Sequence, residues 1–130
     1  MACCVLRVSG ASLDPELVLQ QTSLSAVSIW HEGDQRSSRP HDSRVDAGFV
    51  IDISDKKTLY EQIQDAIVFL TNHRHTLLDL SARSEVTRMG LDFGIVLRDV
   101  AAQYNRFPVP LIQLAAEFKI ELELSQYACE

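Results

Sequence analysis

The sequence predicts a single α+β domain. It is a two-layer sandwich of ferredoxin-like β-α-β-β-α-β order, with an additional C-terminal α-β unit on a mainly antiparallel sheet. Two patterns carry this reading. Stretches whose apolar residues recur at every second position alternate with stretches of helical spacing. Helices laid on one face of a sheet would bury both kinds of stripe. Length and composition agree, since 130 residues, 46% apolar and 23% charged, suit one closed core spanning 1–130.

Residues 2–9 open the chain as a strand, with Cys4, Leu6 and Val8 on one side and Cys3, Val5 and Arg7 on the other. Ser9-Gly10-Ala11-Ser12 breaks it. Asp14-Pro15 then reads as a helix cap followed by proline at the first helical position, where no amide donor is lost. Leu13 and Val18 are spaced to staple that start, and the helix should run to about Gln21. Extended spacing returns from Ala26 to Glu32, where Val27, Ile29 and His31 oppose Ser28, Trp30 and Glu32. Residues 33–45 lack any large apolar side chain before Val45 and read as a long polar loop. Val45 to Ile53 is the next strand, with Phe49, Ile51 and Ile53 on one face.

Ser54 and Asp55 are cap candidates for a helix from about Lys56 to Asn72, whose Leu59, Ile63, Ala66, Ile67 and Leu70 keep helical spacing. Leu77, Leu78 and Leu80 suggest a short second helix. Glu85 to Leu97 alternates again, with Met89, Leu91, Phe93 and Ile95 on one face and Arg88, Gly90, Asp92 and Gly94 on the other. Arg98 to Arg106 reads equally as turn or short helix. Phe107-Pro108-Val109-Pro110 leads into a helix with Leu111, Leu114, Ala115 and Phe118 on its core side. Ile120, Leu122 and Leu124 alternate with Glu121 and Glu123 in a final strand.

Charge and composition exclude several functions. Twelve Lys and Arg against 18 Asp and Glu give a formal charge of −6, with no basic cluster to hold nucleic acid. The longest apolar runs are too short to span a membrane. Arg7 follows the start too closely for a signal peptide. Cys3, Cys4 and Cys129 form no CxxC pair, so the simplest reading is reduced thiols in the cytoplasm, one of them a small core residue.

Several segments together resemble a known family. They are Gly10-Ala11-Ser12-Leu13-Asp14-Pro15-Glu16-Leu17, Ile29-Trp30-His31-Glu32-Gly33-Asp34, Leu111-Ile112-Gln113-Leu114-Ala115-Ala116-Glu117-Phe118 and Ser125-Gln126-Tyr127. The chain resembles, over about residues 2–127, a family of small bacterial proteins known only as a domain of unknown function. Some similar proteins look like immunity proteins, which bind and neutralise a toxin of the same cell. The Arg-, Ser- and His-rich stretch after Asp34 departs from the pattern.

Catalytic signatures are absent from the sequence. There is no Gly-x-Ser-x-Gly elbow and no glycine-rich phosphate loop, and Cys129 sits next to the chain end. His73-x-His75, or His31 and His41 with Asp34 and Asp42, are conceivable metal ligands but lack a spaced third or fourth partner. No catalytic residue, cofactor or metal is assigned.

The expected function is a non-enzymatic protein-binding module, in its sharpest form an immunity-type inhibitor occluding a basic toxin domain. Trp30 would anchor the partner, and Asp34, Arg36, Arg39, Glu121 and Glu123 would supply charged contacts. Trp30 could equally cover the sheet beneath the 33–45 loop. Asp46, Asp52, Glu85, Asp92, Glu121 and Glu123 would make an open sheet face acidic, and such charge also keeps a sheet soluble. The alternative function is a small-ligand-binding or regulatory ferredoxin-like domain acting as a homo-oligomer, with a pocket of Trp30, His31 and Tyr127.

Overall fold

The computed structural model describes residues 2–36 and 39–128, and the side chains of residues 35–43 lie outside that description. In chain order the elements are β1 (Cys3–Gly10), α1 (Pro15–Thr22), β2 (Ser28–Trp30), β3 (Gln35–Arg36), β4 (Arg39–Ser43), β5 (Ala47–Ser54), α2 (Leu59–Asn72), α3 (Arg74–Ala82), β6 (Arg88–Val96), α4 (Val109–Glu117) and β7 (Ile120–Tyr127). Five strands form one sheet in the order β2-β5-β1-β6-β7. The first three pairings are antiparallel and β6–β7 is parallel. The first four of these strands have the ferredoxin-like order, and α4–β7 is the expected added unit. The fold is α+β, with the helices packed on one face of the sheet.

Alternation places the core. Leu6 of β1 lies opposite Ile51 and Leu91, and Val8 lies opposite Phe49 and Met89. All six are buried against residues such as Ile63, Leu70, Leu111 and Phe118 of the helical layer. A one-residue slip of β1 would exchange these side chains for Arg7 and Ser9, so burial fixes the register. Cys4 belongs to the same layer and is buried, where desolvation, reinforced by nearby Asp92, pushes its thiol pKa far up. It is a small core residue, as its alternation predicts.

Helix ends follow local chemistry. Asp14 Oδ1 accepts the Leu17 N–H at 3.3 Å, with Pro15 first in the helix and Leu13 and Val18 buried together. The α2 cap is Thr58, not Ser54 or Asp55. Thr58 Oγ1 accepts the Glu61 N–H at 3.2 Å and donates to Glu61 Oε1 at 2.9 Å. Ser54 instead donates to Asp65 Oδ2 at 2.7 Å, which ties the end of β5 to the middle of α2.

Two other expectations are corrected. The 33–45 segment is a hairpin rather than a loop. Arg44 N–H donates to Asp34 O at 2.7 Å, Gly33 N–H donates to Arg44 O at 2.8 Å, and β3 pairs with β4 beyond them. Its entry turn needs Gly33 at φ +92°, a conformation other side chains resist. The strand expected over 26–32 shrinks to β2, an edge strand. Ile29 does lie on the helix side, opposite Phe49, but it is half-exposed because the edge extends past the helical layer. Of the two readings of residues 98–106, the short helix is not formed; bends at 99–101 lead into irregular backbone.

Candidate functional site

No helix of the described chain covers the other face of the sheet. β1 contributes Val5, Arg7 and Ser9 to it, β5 contributes Gly48, Val50 and Asp52, and β6 contributes Arg88, Gly90 and Asp92, by strict alternation. The edge strands add Ser28 and Trp30 on one side and Glu121, Glu123 and Ser125 on the other. The edge strands lie four strand spacings apart, about 19 Å. Between them runs a concavity of about 640 Å³ lined by Arg7, Trp30, Arg44, Asp46, Arg88, Glu121 and Glu123, among others.

Trp30 forms one wall and is only 9% exposed. Its Nε1–H donates to Asp46 Oδ1 at 2.9 Å, and the Arg44 guanidinium sits 4.8 Å from the ring centroid. The ring lies over Gly48, its cross-strand partner. A Cβ on Gly48 would come within 2.5 Å of the ring and 2.3 Å of Val8 O. Gly48→Ala should therefore cost about 1–3 kcal/mol by overpacking. It should also lift the ring into water. Trp30 is the only tryptophan, so a red-shifted emission together with a lowered denaturation midpoint is the expected reading.

Charges on this face are mixed, with arginines set among the carboxylates that the sequence predicts there. Arg7 Nη1 donates to Asp92 Oδ2 at 2.7 Å, and Ser125 Oγ donates to Asp92 Oδ1 at 2.6 Å. Asp92 is 8% exposed, so both its oxygens are satisfied inside the structure. Arg88 Nε donates to Glu121 Oε1 at 2.5 Å. Glu85 lies off this face, in the turn before β6, where it meets Arg83 at 3.5 Å.

Of the residues expected to bind a partner, Trp30, Glu121 and Glu123 meet around the concavity. Asp34 stands apart at the base of the hairpin, where Oδ2 accepts the His31 N–H at 2.7 Å. The side chains of Arg36 and Arg39 lie outside the described residues, as does Cys129. Arg7, Arg44, Asp46 and Arg88 complete the site. For Arg7 and Arg88 the signal in the sequence was the polar phase of alternating strands, which identifies a face without showing which strands adjoin, whereas Arg44 and Asp46 precede β5 outside any strand.

His31 ties the hairpin base to α1. Its Nε2 meets the Glu16 carboxylate, and its Nδ1 lies 3.6 Å from Asp34 Oδ2. The hydrogen bond to Glu16 raises the His31 pKa above its ordinary 6.5, with the charges of Glu16 and Asp34 adding to it. A raised folded value means the contact is complete below the unfolded pKa and fades as pH rises through the folded one. NMR titration should find His31 above 6.5, falling back toward that value in Glu16→Gln. An unmoved titration in the variant would separate the two groups. His73 turns inward instead, stacked on Phe69 at 4.2 Å. Among the described residues, no three His, Cys, Asp or Glu side chains meet as a metal site requires.

The site offers fixed cations, carboxylates and one aromatic wall, an arrangement suited to holding a partner. A family model described as a domain of unknown function (DUF4279) matches residues 1–129. Searches of curated proteins and of solved structures found no match. No helix is long and apolar enough to cross a membrane among the described residues.

Proposed function

The chain belongs to the DUF4279 family, and from its own geometry we propose that it is a non-enzymatic protein-binding module that receives a basic partner on its open sheet face. In its sharper form it is an immunity-type inhibitor that occludes a bacterial toxin.

One observation carries this reading. Arg7 and Arg88 are neutralised in place by Asp92 and Glu121. Among the described residues, the remaining charged side chains of the face are Asp46, Asp52 and Glu123 against Arg44, and Arg44 lies over Trp30. The residual field is negative, as is the whole chain at −6, and such a field steers a basic surface toward the face. A sheet fastened by helices on its back moves little on binding, so coverage alone would block a partner's active site. The ligand-domain alternative draws less support, because His31 and Tyr127 do not line the concavity and His31 engages Glu16.

The test is capture of a partner by the tagged chain from its native cell at moderate salt. A single stoichiometric basic protein whose activity is inhibited in the complex is the expected result. A stoichiometric partner of acidic character, or one that stays fully active in the complex, would overturn the reading.

A further inference from the structure

A second cavity, of about 590 Å³, shares no lining residue with the open-face concavity. β5 and β6 both run antiparallel to β1, and β7 runs parallel to β6, so the three strands end at one edge of the sheet. The cavity lies at that edge, between the start of α2 and the irregular segment after β6. Segments that leave strand ends in this way are free to carry binding groups, since the sheet holds their roots.

The lining has a consistent chemistry. Lys57 and Arg98 supply two cations, and among the described residues no carboxylate lines the cavity, in a chain of formal charge −6. Tyr60 and Tyr104 line it while 73% and 82% exposed, two large aromatic surfaces left in water. The walls are fastened. Gln62 Nε2 donates to both Lys56 O and Gly94 O at 2.8 Å, which joins the approach to α2 with the end of β6. Gln103 Oε1 accepts the Arg98 N–H at 2.9 Å and closes the irregular segment on itself. α2 begins at this wall, its first turn capped by Thr58 with the Glu61 carboxylate beside it. The volume matches a small-molecule site.

We propose that this cavity binds a small aromatic anion, a ring carrying a phosphate or carboxylate group. The ring lies against Tyr60 and Tyr104, and the anion is held by Lys57 and Arg98. The aromatic faces explain the exposed tyrosines, and the cations explain why a free apolar ring is not enough.

The full chain, labelled with 15N, would be titrated with phenyl phosphate and with benzoate, and in parallel with inorganic phosphate and with phenol. Saturable amide shifts at residues 57–60 and 96–105 are expected for phenyl phosphate or benzoate, and the stronger of the two identifies the anion. Inorganic phosphate and phenol should each bind at least about tenfold more weakly. Lys57→Gln with Arg98→Gln should weaken the ring anion by about tenfold or more while the folded spectrum persists. Absence of saturable shifts at millimolar probe would overturn the proposal. So would equal binding of phosphate (an adventitious ion only), equal binding of phenol, or shifts confined to the open face. Apart from shifts on the open face, these outcomes do not bear on partner capture there.

Discussion

Replacing Gln62 by methionine should lower the free energy of unfolding by about 2–3 kcal/mol, from two lost hydrogen bonds in a buried site. Gln62 is fully buried, and its Nε2 donates to Lys56 O and Gly94 O at 2.8 Å each. Both partners are carbonyls, so the amide has only one useful orientation. Methionine keeps the volume and flexibility of the side chain but donates nothing. Gln62→Glu should be worse at neutral pH, because a carboxylate would face two carbonyl oxygens without water. Burial and those oxygens would raise its folded pKa, so the variant should lose stability as pH rises and approach the methionine variant in acid. Denaturant unfolding of both variants across pH checks this. A methionine variant as stable as the unsubstituted chain would show that the amide donates no bonds that matter, and equal stability of the two variants at pH near 8 would show that the carboxylate escapes the cost of burial. Oε1 of Gln62 has no donor among the described residues, so the side chain is kept for its two N–H groups.

The fold was legible where one periodicity dominated. In β1, β6 and β7 every second residue is apolar, and α2 keeps a wide apolar stripe, so burial alone dictates those elements. It was less legible where backbone hydrogen bonds decide. The 39–43 stretch pairs with 35–36 through main-chain groups that any polar sequence carries, so a hairpin read as a loop. The cap of α2 failed for a related reason, since Ser54, Asp55 and Thr58 are all competent caps. Only the depth at which β5 ends chooses Thr58. In the candidate site, the polar residues of each strand were visible one strand at a time. Arg7 and Asp92 stand 85 positions apart, and nothing local in either predicts that β1 and β6 adjoin. The acidic expectation holds there only in balance, because it counted carboxylates without the arginines that the register sets beside Asp92 and Glu121. Trp30 was visible as a large aromatic on the face opposite Ile29, whereas its shelter over Gly48 depends on a pairing that only the folded sheet makes.

Reversing the unpaired charge on the open face with Asp52→Lys and Glu123→Lys should weaken a captured basic partner by about 100-fold, because each like-charge contact replaces an attraction with a repulsion. These positions isolate binding from stability. Asp92 is unsuitable, since it is buried and holds Arg7 and Ser125, so its loss would loosen the sheet itself. Glu121 is engaged by Arg88, and changing it would release a cation as well as remove an anion. Asp52 and Glu123 are exposed, and neither takes part in a side-chain hydrogen bond or salt bridge among the described residues. Most of the loss should appear in the association rate and shrink as salt is raised, because exposed charges steer encounter over roughly a Debye length of 8–10 Å. Lys57→Glu, at the separate cavity, is the matched control and should leave the same partner's affinity unchanged. An unchanged affinity in the double variant, with its folded spectrum intact, would remove the open face from the binding reaction. The hairpin would then be the next surface to test, through Asp34, Arg36 and Arg39.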